Sequence, residues 1–187
     1  MIEDIKAAIE VLQKGGVILY PTDTVWGLGC DATNEEAVKK LNDIKKRDIS
    51  KGMIVLMENA ALLDRYVEQV PEIAFDLIEL SDRPLTIIYD RAKNLAKNLV
   101  AADGSIAIRI TSEAFSAELV RRFKKPIVST SANVSGKKTP ATYHEIPQEI
   151  IASVDYVVKY RQNETQKGRP SSIMKLGRGG EVKIIRE

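Results

Sequence analysis

The stretch Gly15-Gly16-Val17-Ile18-Leu19-Tyr20-Pro21-Thr22-Asp23-Thr24-Val25-Trp26-Gly27-Leu28-Gly29-Cys30-Asp31 decides the reading of this chain. Its apolar run, Val17 to Tyr20, is cut off by Pro21 and reads as a short buried strand. Directly at that strand's end stand the small polar side chains of Thr22, Asp23 and Thr24, punctuated by Gly27 and Gly29, which read as a loop. A buried strand opening into a polar, glycine-rich loop is how α/β folds build ligand crevices. Further on, the chain emerges from a helix as Lys45-Lys46-Arg47-Asp48-Ile49-Ser50-Lys51. Hydroxyls on one loop and cations on the next predict a site for an anionic, phosphorylated ligand.

The 187 residues are 44% hydrophobic, which suits one folded domain, 1–187, with a sizeable core. A net charge of +2, from 28 basic and 26 acidic side chains, does not by itself call for nucleic acid. The basic runs at 121–125 and 137–138 read more simply as solvated faces. A single cysteine, Cys30, excludes an internal disulfide and any multi-cysteine metal site. With no leader-like N-terminus and no apolar stretch near the ~20 residues of a membrane span, the expectation is a cytoplasmic protein without membrane contact.

Hydrophobic spacing orders the rest. Residues 3–14 put Ile5, Ala8, Ile9 and Leu12 on one helical face, stopped by Gly15-Gly16. Thr33, with Glu36 three positions on, reads as the capping box of a second helix whose stripe is Ala37, Val38, Leu41 and Ile44. Strands are expected at 53–57, 85–89, 105–110, 127–128 and 155–158, with a closing hairpin from 172–176 to 182–185. Helices are expected near 59–66, 71–80, 112–123 and 146–151. Residues 129–140 read as a second polar loop, carrying with Thr142 six hydroxyl side chains, and residues 161–170 as a hydrophilic loop. About eight strands with interspersed helices give an α/β (α+β) domain around a twisted mixed sheet.

Several motifs fail on inspection. Gly136-Lys137-Lys138-Thr139 lacks the upstream glycine of a Walker A loop, because Ser131 stands there. His144 beside Glu145 reads as a surface residue rather than a catalytic one. Cys30 reads as buried structural thiol, and Trp26 as core as readily as a stacking surface. What remains is a set of donors, Lys45, Arg47, Lys51 and Arg109, supported by hydroxyls and Asn133. Such a set can hold a triphosphate and a carboxylate and stabilise charge developing at phosphorus, but it has little acid–base equipment. It points to phosphoryl or nucleotidyl transfer between substrates that bring their own nucleophile.

At 20–29 (Tyr-Pro-Thr-Asp-Thr-Val-Trp-Gly-Leu-Gly), 45–54 and 129–136 (Ser-Thr-Ser-Ala-Asn-Val-Ser-Gly) the sequence resembles the YrdC-like family, the L-threonylcarbamoyladenylate synthases of tRNA modification. The likeness spans nearly the whole chain, and its Lys-x-Arg…Ser-x-Asn tetrad falls on Lys45, Arg47, Ser131 and Asn133. The resemblance makes these four the catalytic set, with Lys45, Arg47, Lys51 and Mg2+ neutralising the departing pyrophosphate. The resemblance implies a nucleotidyltransferase that combines L-threonine, bicarbonate and ATP, with Mg2+, into threonylcarbamoyl-AMP and pyrophosphate. It implies that Arg47, Lys51, Ser131, Thr139 and Arg186 contact the nucleotide. It implies also that Thr24, Arg109, Ser129 and Ser171 hold threonine, and that a separate threonylcarbamoyl transferase complex takes the product. Two departures stand out: Leu56 replaces a histidine of longer, two-domain relatives, and the family's Trp-Pro-Gly-Pro-x-Thr segment is reduced to Ser81-Asp82-Arg83-Pro84-Leu85-Thr86. The chain thus resembles the short bacterial type.

A competing reading is an RNA-binding module, using the same basic crevice on a tRNA or duplex backbone without synthase activity. The intact tetrad favours the enzyme.

Overall fold

The structure is a computed structural model that describes residues 1–46 and 53–187. Among the described residues, nine strands join in one mixed sheet. They are β1 (Ile18–Tyr20), β2 (Gly27–Gly29), β3 (Ile54–Met57), β4 (Leu85–Tyr89), β5 (Ile106–Ile110), β6 (Ile127–Ser131), β7 (Tyr156–Val157), β8 (Ser172–Leu176) and β9 (Val182–Arg186), in the order β7-β1-β2-β6-β3-β5-β4-β8-β9. The helices are α1 (Ile2–Gln13), α2 (Glu35–Lys45), α3 (Ile73–Leu80), α4 (Ala114–Phe123) and α5 (Gln148–Ser153), with short 3-10 turns at Ala60–Arg65, Lys97–Leu99 and Tyr143–Glu145. Among these strands, three parallel pairs (β1 with β7, β3 with β5, β4 with β8) stand among five antiparallel ones, so the expected mixed sheet is present.

Strand register explains why one sequence builds both a core and a site. Side chains alternate across a strand, so paired residues share a face. Leu28, Val128, Val55, Ile108 and Ile87 lie on one face and are all buried. The other face carries Tyr20, Gly27, Ser131, Ser129, Arg109 and Thr86 through the pairings Tyr20–Gly27–Ser131, Ile54–Ser129 and Leu56–Arg109–Thr86. The helices supply the rest of the core: Ile5, Ala8 and Leu12 of α1, and Phe115, Leu119 and Val120 of α4, are fully or almost fully buried. At about 0.8 kcal/mol per buried CH2, these apolar side chains are the main stabilising term.

Three local expectations change. Gly27-Leu28-Gly29 is strand β2, not loop; a Cβ on Gly29 would lie 2.6 Å from a Tyr20 ring carbon and 2.8 Å from the Val128 carbonyl. The glycine is there because the Tyr20 ring crosses the strand, a tertiary contact that local propensity cannot register. The cap of α2 is Asn34 rather than Thr33: its side chain accepts from the Glu36 and Ala37 amides. The Thr33 hydroxyl instead donates to Asp31. Strand β6 extends to Ser131, taking Ser129, Thr130 and Ser131 out of the expected loop, because β2 and β3 satisfy its backbone on both sides.

The remaining elements follow the spacing. Asn59 caps the turn Ala60–Arg65 through the Ala61 amide, and α1 ends before Gly15, whose φ of +75° suits glycine. Residues 161–170 are held over the sheet. Arg161 reaches the Thr22 carbonyl at 3.2 Å, and the Gly168 amide reaches the Ala141 carbonyl at 3.3 Å. A Cβ on Gly168 would fall 1.8 Å from the Thr24 carbonyl oxygen, so the two backbones touch.

Candidate functional site

Two distant stretches meet at the end of α2. Lys45, its last residue, is only 2% exposed and turns its amine onto the carbonyls of Ser131 (2.5 Å) and Asn133 (2.7 Å). The Lys45 carbonyl in turn accepts from the Ser135 amide at 2.9 Å. Within the turn, the Ser131 hydroxyl donates to Asn133 Oδ1 at 2.5 Å, and Asn133 Nδ2 donates to the Lys137 carbonyl at 2.7 Å. Lys45, Ser131 and Asn133 therefore form one cluster whose hydrogen bonds fix the turn after β6. Arg47 and Lys51 lie outside the described residues.

The other set gathers on β5. Arg109 interrupts an apolar strand and is 3% exposed. Its Nη2 stands 3.0 Å from Asp23 Oδ1 and 3.4 Å from the Thr24 hydroxyl. The approach to Asp23 is an ion-pair distance without the alignment of a hydrogen bond, and both Asp23 Oδ1 and Arg109 Nε are buried with no hydrogen-bond partner. Burial pushes the Asp23 carboxyl above its ordinary value; the Arg109 charge pulls it part of the way back. Thr22 fixes this loop by donating to the Val25 carbonyl at 2.7 Å and accepting from the Thr24 amide at 3.1 Å.

Ser171 and Thr86 share a hydroxyl–hydroxyl bond of 2.8 Å, and Thr86 pairs directly with Arg109 across β4 and β5. Ser129, 6% exposed, sits on the same face of the sheet, with its hydroxyl 3.3 Å from where a Gly27 Cβ would stand. Beside it the Tyr20 hydroxyl is pushed well up by complete burial, so it stays protonated.

A cleft of about 960 Å³ opens over this floor. Asp23, Thr24 and Trp26 form one wall, Arg83, Pro84, Ser172 and Arg186 another, and residues 166–170 close over it. Arg109, Ser129 and Ser171 do not line the open cleft themselves; Asp23, Thr24 and Ser172 are the points where their cluster reaches it. The Lys45 cluster also lies off the wall, joined to it by the Ala132 amide, which donates to the Trp26 carbonyl at 3.1 Å. Arg186 spends Nε and Nη2 on the Ser171 carbonyl, at 3.0 and 2.7 Å, which ties β9 to the segment whose Ser171 hydroxyl meets Thr86. Thr139 is half-buried, two residues before the cleft residue Ala141.

Some site residues were not legible in the sequence. Arg83, Arg161, Lys167 and Arg169 give the mouth a cationic character, while Glu113 and Glu164 are drawn to Arg161 at 3.2 and 2.8 Å. The reduced segment at 81–86 still contributes Arg83 and Pro84 to the wall and Thr86 to the floor. A signal existed for Asp23, an acid between two threonines beside a strand end. For the cations on 161–170 there was none, because only folding carries that segment over Thr24. His144 is exposed, Cys30 is buried with its thiol pushed up by desolvation, and Trp26 packs on Tyr143 with ring centres 4.9 Å apart. Among the described residues no group of three His, Cys, Asp or Glu could hold a metal, and no helix is long and apolar enough to cross a membrane.

Comparison with known proteins matches this architecture. The Sua5/YciO/YrdC family model, described as "Telomere recombination", matches residues 10–187. A threonylcarbamoyl-AMP synthase of Pseudoalteromonas translucida (strain TAC 125) is 38% identical over 157 residues, covering 82% of this chain and 84% of that protein. The solved structure of an H234A/Y235A variant of P. abyssi Sua5 superposes with a TM-score of 0.87 at 25% identity over 97% of this chain. P. abyssi Sua5 complexed with L-threonine superposes with a TM-score of 0.82 at 23% identity over 92% of this chain. The present chain spans 55% and 50% of those two Sua5 chains.

Proposed function

The chain belongs to the Sua5/YciO/YrdC family, and on that premise we infer that it is a threonylcarbamoyl-AMP synthase, a nucleotidyltransferase serving threonylcarbamoyladenosine formation in tRNA. The observation that carries the reading is the buried Arg109, held directly behind Asp23 and Thr24 of a cationic cleft with donor capacity unspent.

The chemistry fits that geometry. Threonine's carboxylate would take the Arg109 guanidinium, whose planar fork matches it. The Thr24 hydroxyl, Ser129 and Ser171 would complete the amino-acid pocket. The amine captures bicarbonate carbon as a carbamate, and a carbamate oxygen attacks the α-phosphorus of ATP, expelling pyrophosphate. Arg47, Lys51, Ser131, Thr139 and Arg186 would receive the nucleotide, with the Arg83 and Arg169 charges at the mouth. Mg2+ would enter bound to the ATP phosphates, which supply its oxygen ligands. Catalysis would rest on positioning and on neutralising the departing pyrophosphate rather than on a protein nucleophile. Lys45 and Asn133 would hold the turn that presents Ser131. The labile adenylate would pass to a separate transferase.

The test is pyrophosphate release by purified protein given L-threonine, bicarbonate and Mg-ATP. Release that needs all three, together with a threonylcarbamoyl-AMP peak by chromatography, is the expected result. Threonine-independent release, or salt-sensitive RNA binding with no threonine affinity, would replace the synthase by a different activity.

A further inference from the structure

The geometry points to Asp23 as the residue that receives the α-ammonium of the amino-acid substrate and takes the proton that must leave before the amine can react. The inference rests on the synthase reading and adds to it a residue and a step.

Three observations carry it. Asp23 lines the cleft, yet its side chain is only 10% exposed. Its Oδ1 faces Arg109 Nη2 at 3.0 Å, and neither that oxygen nor Arg109 Nε has a hydrogen-bond partner. A buried ion pair whose members both keep unfilled hydrogen-bonding capacity within the protein is costly. A zwitterion satisfies both members at once. Its carboxylate fills the guanidinium, and its ammonium replaces the charge that Asp23 gives up when Arg109 turns to the ligand. A carboxylate without an amine would set a second negative charge beside Asp23 with nothing to balance it.

The charged and titratable groups facing Asp23 are Arg109, Glu113 and the Tyr20 hydroxyl. Burial and the Glu113 charge raise its proton affinity, while Arg109 lowers it, and the net displacement is upward. That direction suits a group that must hold a proton for part of the cycle. The step balances. R–NH3+ gives its proton to the Asp23 carboxylate, leaving R–NH2. The nitrogen lone pair forms the C–N bond to bicarbonate carbon as the C–OH bond breaks, giving carbamate and water. Protonated Asp23 then releases its proton to the departing pyrophosphate or to solvent.

The experiment compares L-threonine with 3-hydroxybutyrate, which keeps the carboxylate and β-hydroxyl but lacks the amine, by calorimetry on wild type and Asp23→Asn. Wild type should prefer threonine by at least about tenfold. In Asp23→Asn, threonine affinity should fall roughly 10- to 100-fold while 3-hydroxybutyrate binds as well or better. The variant's kcat at saturating threonine should also fall, and recover as pH rises toward the amine's own pKa, where the substrate arrives deprotonated. Equal losses for both ligands would make Asp23 a support for Arg109 alone and overturn the inference. So would an unchanged kcat, or a wild type that binds the two ligands within twofold, a measurement that needs no folded variant. A wild type that binds no threonine would remove the synthase reading itself, and with it this step.

Discussion

Replacing Lys45 by Met keeps most of the aliphatic stem and removes the amine. Lys45 is 2% exposed, and its amine donates to the carbonyls of Ser131 at 2.5 Å and Asn133 at 2.7 Å. Hydrogen bonds from a charged donor contribute about 1.5–3 kcal/mol each. Their loss also takes the donor from the Asn133 carbonyl, while the Ser131 carbonyl keeps the Asn133 amide at 2.9 Å and the retained stem keeps its packing. The expected cost is about 3–5 kcal/mol. For a chain of this size each kcal/mol moves Tm by about 2–4 °C, so melting should fall by roughly 6–20 °C. Urea unfolding followed by circular dichroism measures the first figure, and calorimetry the second. Adenylate formation should fall with it, because the Ser131–Asn133 turn loses its tether to α2. A Lys45→Met protein as stable as wild type, within about 0.5 kcal/mol, would refute the assignment of Lys45 as the clamp between these stretches.

Other substitutions test other parts of the site. Arg109→Ala should abolish measurable threonine binding by calorimetry and cost about 3–5 kcal/mol in urea unfolding, because Asp23 is left buried and unpaired. Gly168→Ala drives a Cβ into the Thr24 carbonyl and should cost about 1–3 kcal/mol, with protease cleavage within 161–170 becoming faster. Asp4 provides a pH test: burial raises its carboxyl, but the Tyr156 hydroxyl (2.7 Å) and the amides of Lys159 and Tyr160 outweigh that and hold it below the ordinary value. A lowered folded-state value gives stability that is present above the unfolded carboxyl pKa of about 3.9 and lost as pH falls through the folded one. Asp4→Asn should therefore be less stable than wild type at pH 7, with urea midpoints converging in acid below about pH 4.

The sequence alone determined a good deal, since much of it is local. Apolar runs bounded by proline and glycine located β1, β3, β4 and the hairpin of β8 and β9, and helical spacing located α1, α2 and α4 to within a residue or two. Arg109 was legible as one of the cations of the site, whereas its burial inside the apolar strand Ile-Ala-Ile-Arg-Ile came from the fold. Tertiary structure decided the rest. Glycines 27 and 29 read as loop because local propensity does not announce the Tyr20 ring against Gly29 or the Ser129 hydroxyl and Thr130 carbonyl against Gly27. Ser129 and Ser131 read as loop because their hydroxyls favour turns, whereas pairing on both sides makes them strand. The junction of Lys45 with Asn133 spans 88 positions, and Gly168 lies against Thr24 from still farther along the chain. Side-chain chemistry and its period are written in neighbouring residues, whereas a pocket is made by packing among residues far apart in the chain.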